Sequence, residues 1–518
     1  MGLTARRRAG FFLNAHIMTA DSRLTRLEAG MVIPYGGDRY TTVSDALATA
    51  FQPGDRLQVV QRTGALLHIP AAVQHLVEDA VSAAVDAFRE LPRAAPGAVA
   101  AFYDGFADAL DDDACWQSIV DANEADVRRA QDRGRSTTRL TVSDRMRADM
   151  IAGLRSWVSM TGMAPTVGKV EHPTWTVESV RVPLGVIGFV FEGRPNVFAD
   201  AAGVLATGNT AVLRIGSDAL GTARAIVRHA LHPALAAAGL PTGAVTLLDA
   251  EDRAAGWALF SDRRLALAVA RGSGHAVLEL GSVARQAGIP VSAHGTGGAW
   301  MVADPTADTA RFGAVVQNSL DRKVCNTLNV CCIPVSRAAE LVPVFLDALR
   351  LAGSARGQDA RLHVLAGSEA YLPHEVFTQQ VKVLRADGPS QEPFATLLPE
   401  DALGQEWEWE ATPEVTLAIV QDVDEAVALF NRWSPRFVAS LIATDPEAHA
   451  RFRAEIDAPF VGDGFTRWVD GQYALGLPEL GLSNWENGRL LGRGGVLSGA
   501  DLTALRLVAT HQSPAQHR

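Results

Sequence analysis

Gly185-Val186-Ile187-Gly188-Phe189-Val190-Phe191 carries no polar side chain between Pro183-Leu184 and Glu192. A strand with one wet face alternates, whereas a strand buried on both faces reads as an unbroken apolar run, the pattern of a parallel sheet under helices. The neighbours fit that reading. A helix is predicted over 199–207, a strand at Thr210-Ala211-Val212-Leu213-Arg214, a turn at Ile215-Gly216-Ser217-Asp218, and then a further helix. Ala244-Val245-Thr246-Leu247-Leu248 and Leu265-Ala266-Leu267-Ala268-Val269-Ala270 repeat the strand signal around another helix. This alternation predicts a doubly wound α/β domain.

Ligands in such sheets sit beyond the carboxyl ends of the strands. The loops there are Glu192-Gly193-Arg194-Pro195-Asn196, Arg214-Ile215-Gly216-Ser217 and Arg271-Gly272-Ser273-Gly274. Small residues admit a cofactor to the backbone, helix N-termini offer N–H groups to phosphates, and arginines add charge. No G-x-G-x-x-G occurs, so an ordinary Rossmann dinucleotide site is not indicated.

A second α/β unit is predicted from Ile289-Pro290-Val291-Ser292-Ala293-His294, with strands at 416–420, 437–442 and 460–461 and helices at 423–432 and 446–454. It carries Asp321-Arg322-Lys323-Val324-Cys325-Asn326-Thr327. Nearby cationic charge lowers a thiol pKa and favours the nucleophilic thiolate. Free cysteines are also commonly buried as small apolar residues, so the local sequence leaves both readings open. Cys331 and Cys332, inside Val330-Cys331-Cys332-Ile333, read as strand core. A polar, glycine-rich stretch from Gly471 to Gly499 carries Glu479, Asn484 and Arg493, and such late segments often line a site.

At 518 residues the chain exceeds one ordinary core. Residues 1–70 form an extension without an assigned role; within it Gly54-Asp55-Arg56-Leu57-Gln58-Val59-Val60-Gln61 reads as a turn and a strand. Helices are predicted over 71–89, 96–110 and 145–160, and the charged segment 124–139 as solvated helix face and loop, where 135–139 also presents cations to an anionic ligand. Forty-seven basic against 58 acidic residues, a net charge of -11, and no long basic run argue against nucleic acid. Four cysteines without paired spacing suggest a reducing compartment and neither a disulfide framework nor a zinc site. Arg6-Arg7-Arg8 before Phe11-Phe12-Leu13 faintly resembles a signal peptide, but Asn14 and His16 break it, and no run of about 20 apolar residues would span a membrane. The expected location is cytoplasmic.

Four segments, in order, resemble the glutamate-5-semialdehyde dehydrogenase (γ-glutamyl phosphate reductase) family of the aldehyde dehydrogenase superfamily. They are Val182-Pro183-Leu184-Gly185-Val186-Ile187-Gly188 through Arg194-Pro195-Asn196-Val197, Gly208-Asn209 through Arg214-Ile215-Gly216-Ser217, Val324-Cys325-Asn326, and Thr466-Arg467 with Asp470-Gly471 and the tail 476–502. The likeness covers roughly 76–510. It implies a cofactor domain over 71–171 and 185–288, a catalytic domain over 289–470, and an oligomerisation hairpin and strand over 172–184 and 495–510, with a homodimer or larger assembly.

The resemblance further implies a cysteine mechanism: Cys325 attacks an acyl phosphate, phosphate leaves, and hydride from NADPH reduces the thioester to a semialdehyde. Asn196 and the Cys325 N–H are the implied oxyanion donors, with Asn326 adjoining. Arg194, Arg467 and Thr466 are implied phosphate or carboxylate contacts, Arg214, Gly216 and Ser217 the adenosine ribose and 2′-phosphate site, Arg271, Gly272 and Ser273 the pyrophosphate loop, and Glu410 the partner of the nicotinamide ribose. His294 stands where hydrolytic relatives carry a water-activating glutamate, which favours acyl transfer over hydrolysis. An upstream kinase is a possible partner.

The chain departs from the family pattern at Gly297-Gly298-Ala299-Trp300, at Ser434-Pro435-Arg436-Phe437 and at 462–468, around the implied substrate. The acyl group therefore need not be γ-glutamyl. Two alternatives are a CoA- or carrier-thioester reductase and a non-catalytic protein of the same fold.

Overall fold

The structure, a computed structural model, describes residues 23–515 except 136, 138, 139, 162, 163, 386, 387, 487, 488 and 491–493. The basic segment Arg6-Arg7-Arg8, the apolar Phe11-Phe12-Leu13, Ser136, Thr138, Arg139 and Arg493 lie outside the described residues.

Two compact units divide at Ala71. In the first, hairpins pair Val32–Tyr35 with Arg39–Thr42 and Arg56–Val59 with Leu66–Ile69, around a small cluster of Leu27, Val43 and Phe51. Its helix Asp45–Ala50 starts at Ser44, whose side chain accepts the Leu47 N–H at 3.2 Å.

The second unit is built on two parallel sheets. In the first, the strands run in the order Val291–His294, Leu265–Arg271, Val186–Val190, Thr210–Arg214, Val245–Leu247, and the central strand Val186–Val190 is buried along its whole length. Helices Ala98–Asp111, Asp113–Asp132 and Asp144–Val158 contribute to the core over it. Phe102, Tyr103, Phe106 and Leu154 are fully enclosed there, each large side chain adding roughly 1.5–3 kcal/mol by burial. Gly203 lies against the Trp157 ring, where no Cβ would fit.

The second sheet has seven parallel strands in the order Ala395–Leu398, Arg361–Leu365, Glu414–Val420, Leu328–Pro334, Ala299–Ala303, Val438–Ile442, Phe460–Gly462. A third, antiparallel sheet joins Thr166–Glu171, Trp175–Pro183 and Thr503–His511. Asn209 ties it to the first sheet, accepting the Gly185 N–H at 2.9 Å and donating to the Leu502 carbonyl at 3.0 Å.

Three expectations change. Val291–His294 does not open the second unit: it pairs parallel to Leu265–Arg271 and closes the first sheet. A short apolar strand states that it is buried, not which sheet buries it, and the helix Gly274–Gln286 returns it beside its predecessor. The charged stretch from 124 is helix through Asp132, and Asp126 within it is fully buried, accepting from the Thr222 N–H and hydroxyl, each at 2.7 Å. Its loop cation Arg135 is engaged by both Asp218 oxygens, at 2.6 and 2.7 Å. The hairpin is also longer than 172–184, beginning at Thr166.

Candidate active site

Cys325 sits in a closed turn just ahead of the buried strand Leu328–Pro334. Thr327 locks the turn: its N–H reaches the Val324 carbonyl at 3.0 Å, its hydroxyl accepts the Val324 N–H at 2.9 Å and donates to the Arg322 carbonyl at 2.6 Å. Gly298 N–H donates to the Cys325 carbonyl at 2.7 Å. Gly297 lies so close that a Cβ there would stand 2.5 Å from the Cys325 carbonyl oxygen and 2.8 Å from its Cβ. Among the described residues no acceptor takes the Cys325 N–H, and the Asn196 side chain makes no capping bond at the head of the short helix Val197–Ala201. Two hydrogen-bond donors, the Cys325 N–H and the Asn196 amide, are thus left uncommitted among the described residues. Cys325 packs against the buried apolar cluster formed by Ala299, Phe437, Val438, Phe460, Val469 and Leu482.

The thiol is not activated by standing charge. Burial pushes its pKa up to about 11; Glu479 and Glu406 push the same way, and Lys323 and Arg271 oppose them. Lys323, the cation expected to create the thiolate, is bonded to Glu406, whose other carboxylate oxygen takes the Gly297 N–H. Arg322 is exposed. The local sequence named the cation; the acid that cancels it lies far along the chain.

The expected arginines are paired as well. Arg271 donates to Glu479 at 2.8 Å and lies 3.6 Å from Asp200, rather than standing open to a pyrophosphate. Burial raises the Asp200 carboxyl to about 7, with Glu479 and Asp470 adding and Arg271 and Arg194 opposing. Arg194 pairs with Glu192. Arg467 is nearly buried, donating to Asp321 at 2.6 Å and to the side-chain amide oxygen of Asn326, while the Asn326 side-chain amide nitrogen donates to the Val469 carbonyl at 2.8 Å. Arg467 and Asn326 therefore brace the Cys325 turn, and the amide of Asn326 is committed within the protein. Thr466 is buried beside them, its N–H on Ser319 at 3.1 Å. Glu410 is exposed, its carbonyl accepting from Arg356 at 3.3 Å; the acid that reaches the turn is Glu406, which sequence reasoning missed. A glutamate four residues away in the same Glu-Trp-Glu-Trp-Glu run offers no signal to separate the two.

His294 ends its strand against Phe437, ring centroids 4.3 Å apart, with Nδ1 2.8 Å from the Asn484 carbonyl oxygen. Burial lowers its pKa to about 4; Arg271, Arg194 and Lys323 lower it further and the Asn484 bond opposes them.

Arg214 ends its strand with Nη2 3.3 Å from the Glu251 carbonyl and a buried Nε without a hydrogen-bond partner. Burial lowers its pKa against the pull of Asp252. Gly216 approaches the Gly193 backbone so closely that a Cβ would meet its nitrogen at 2.7 Å. Gly272, at φ +156, and Ser273 lead into the helix Gly274–Gln286, where Ser273 makes no side-chain cap. An orphaned guanidinium nitrogen, a side-chain-free turn and an open helix N-terminus fit a phosphate-bearing dinucleotide. Among the described residues no group of three His, Cys, Asp or Glu is placed to hold a metal, and no helix is long and apolar enough to cross a membrane. All four cysteines are free thiols.

The fold recurs in γ-glutamyl phosphate reductase from Thermotoga maritima, with a TM-score of 0.71, 24% identity, and coverage of 85% of this chain and 99% of that one. An acetylating aldehyde dehydrogenase from Geobacillus thermoglucosidasius superposes with a TM-score of 0.57 at 14% identity over 86% and 99% of the two chains. Propionaldehyde dehydrogenase from Rhodopseudomonas palustris, solved with propionyl-CoA, gives 0.56 at 17% over 84% and 97%. Residues 55–351 match the sequence profile of the aldehyde dehydrogenase family. The chain belongs to the aldehyde dehydrogenase family, oxidoreductases that act on aldehyde groups.

Proposed function

We propose that this protein is an NADPH-dependent acyl phosphate reductase that forms a semialdehyde through a thioester on Cys325. One observation carries the choice of acyl transfer over hydrolysis. The two carboxylates whose charge reaches the thiol are each held by a cation and a backbone N–H, Glu406 by Lys323 and Gly297, Glu479 by Arg271 and Gly471. Neither is a free base for water, so a thioester formed here persists until it is reduced or transferred.

Cys325 Sγ attacks the acyl carbonyl, and the Asn196 amide and the Cys325 N–H, both uncommitted, would donate to the developing oxyanion. Arg214 and the N-terminus of Gly274–Gln286 would hold the dinucleotide phosphates, with Gly216 admitting its backbone approach. NADPH, when bound, supplies hydride. The apolar wall of Phe437 and Phe460 excludes water from the acyl carbon. The three-stranded sheet ending in Thr503–His511, with Leu505 and Leu507 exposed, is proposed as the homo-oligomer contact.

The pairing of Arg194, Arg271 and Arg467 favours a second reading, a CoA-thioester reductase, because it leaves fewer open cations for a leaving phosphate. The reverse reaction separates them. Purified protein with NADP and glutamate semialdehyde should form NADPH only when phosphate is added; dependence on CoA instead would replace the first reading by the second. Cys325→Ala should abolish both.

A further inference from the structure

A departure from the family pattern, Ser434-Pro435-Arg436-Phe437, and Asn484 of the glycine-rich tail converge on His294. Asn484 spends both amide hydrogens on carbonyls, Thr296 and Pro435, each at 2.9 Å. Carbonyls only accept, so the amide orientation is fixed and its oxygen faces His294 Nδ1 at 2.8 Å. Nδ1 must then carry the hydrogen. A neutral imidazole has one, which leaves Nε2 with its lone pair.

The turn that holds Asn484 is itself strained. Arg436 has φ +54, left-handed for a residue with a full side chain. It is kept there by Ser434, whose hydroxyl accepts the Arg436 N–H at 3.0 Å, by the guanidinium bond to the Asn431 carbonyl, and by Asp457 at 3.6 Å. Its carbonyl accepts the Trp485 N–H at 2.9 Å, fastening the residue after Asn484, and Phe437 follows directly beneath the imidazole. Strain retained by several contacts beside a reactive group points to a held geometry with a use.

The imidazole and the thiol share surroundings. Gly297, three residues after His294, is wedged against Cys325; the His294 ring lies against Phe437, and Cys325 packs against the apolar cluster to which Phe437 belongs. The charged groups facing the ring are Arg271, Arg194 and Lys323, every one of them ion-paired.

We infer that Asn484, braced by the 434–437 turn, is a positioning residue that locks His294 in the Nδ1–H tautomer and leaves Nε2 as a hydrogen-bond acceptor in the site. The inference rests on the acyl-transfer reading for its chemistry.

The test uses full-length protein labelled with ¹⁵N at histidine, the His294 signals being assigned by their loss in His294→Gln. Wild type should show Nε2 unprotonated and hydrogen-bearing Nδ1. Asn484→Asp places an anion on Nδ1 and should raise the His294 pKa by more than one unit, moving the acid limb of the kcat/KM profile upward by the same amount. Asn484→Ala should lower kcat about a hundredfold with little change in KM. A purely structural Asn484 would lose activity in both variants without moving the acid limb. A hydrogen on Nε2 in wild type, or an acid limb that stays put while the His294 pKa moves, overturns the inference. Absence of turnover with phosphate and CoA substrates would remove the reductase reading instead, and the substrate-free NMR result would still decide the tautomer.

Discussion

Lys323→Met and Glu406→Gln, singly and together, test whether the Cys325 turn is held by a buried ion pair that leaves the thiol protonated. The Lys323 side chain is 6% exposed and that of Glu406 14%. Removing one partner of such a pair leaves an uncompensated charge and costs about 3–5 kcal/mol, whereas removing both costs much less. Melting points should therefore fall sharply in Lys323→Met and recover in the double variant, a non-additivity on the order of 0.5–3 kcal/mol. The thiol reports the same pair in the opposite sense for its two members. Lys323 pulls the Cys325 pKa down and Glu406 pushes it up from a value that already stands at about 11. Below the pKa the thiolate fraction rises tenfold per pH unit, so alkylation of wild-type Cys325 by iodoacetamide, followed by peptide mass mapping, should climb steadily from pH 8 to 10. Glu406→Gln should shift that climb to lower pH and Lys323→Met to higher. A wild-type profile that levels near pH 8, or faster alkylation in Lys323→Met than in wild type at pH 8, would refute the reasoning.

Arg214→Gln should raise the KM for NADPH roughly 10- to 100-fold, the worth of a charged hydrogen bond, while changing that for NADH less than threefold; equal effects on both would detach Arg214 from the 2′-phosphate. Gly297→Ala forces its Cβ to 2.5 Å from the Cys325 carbonyl oxygen, so turnover should drop at least a hundredfold with cofactor binding intact, measured by nucleotide fluorescence quenching. Leu505 and Leu507 are 64% and 70% exposed; Leu505→Lys with Leu507→Lys should convert the proposed homo-oligomer to monomers on size exclusion with light scattering, and an unchanged mass would overturn the proposed contact.

The sheets were legible because burial on both faces writes itself into consecutive residues. Val186–Val190 and, within the strand Leu328–Pro334, Val330-Cys331-Cys332-Ile333 are apolar runs in the sequence and buried runs in the structure. Sheet membership was not legible. Val291–His294 has the same signature as a strand opening a new sheet, and only its pairing with Leu265–Arg271 assigns it to the first. The helix Asp113–Asp132 was partly hidden because its charge suggested solvent, while Asp126 is satisfied by Thr222, far along the chain. At the site, residue types were readable and their charge partners were not. Lys323, Arg271 and Arg467 look like open cations until Glu406, Glu479 and Asp321 are brought to them. Glu406 and Glu410 differ by four positions in a repetitive run, and periodicity cannot say which faces inward.

That pairing determines how the site handles charge. Four cations surround the reacting groups, and each has a carboxylate: Arg194 with Glu192, Arg271 with Glu479, Lys323 with Glu406, Arg467 with Asp321. With charges matched in pairs, the thiol sees desolvation first and stays protonated. Free charge would hold a thiolate at all times, open to oxidation and to any electrophile. A paired site keeps the thiol neutral, and in the proposed reaction transition-state stabilisation falls to dipoles, the Asn196 amide and the Cys325 N–H. His294, neutral and with its tautomer fixed from the far side by Asn484, presents Nε2 to the site without adding a charge to those pairs.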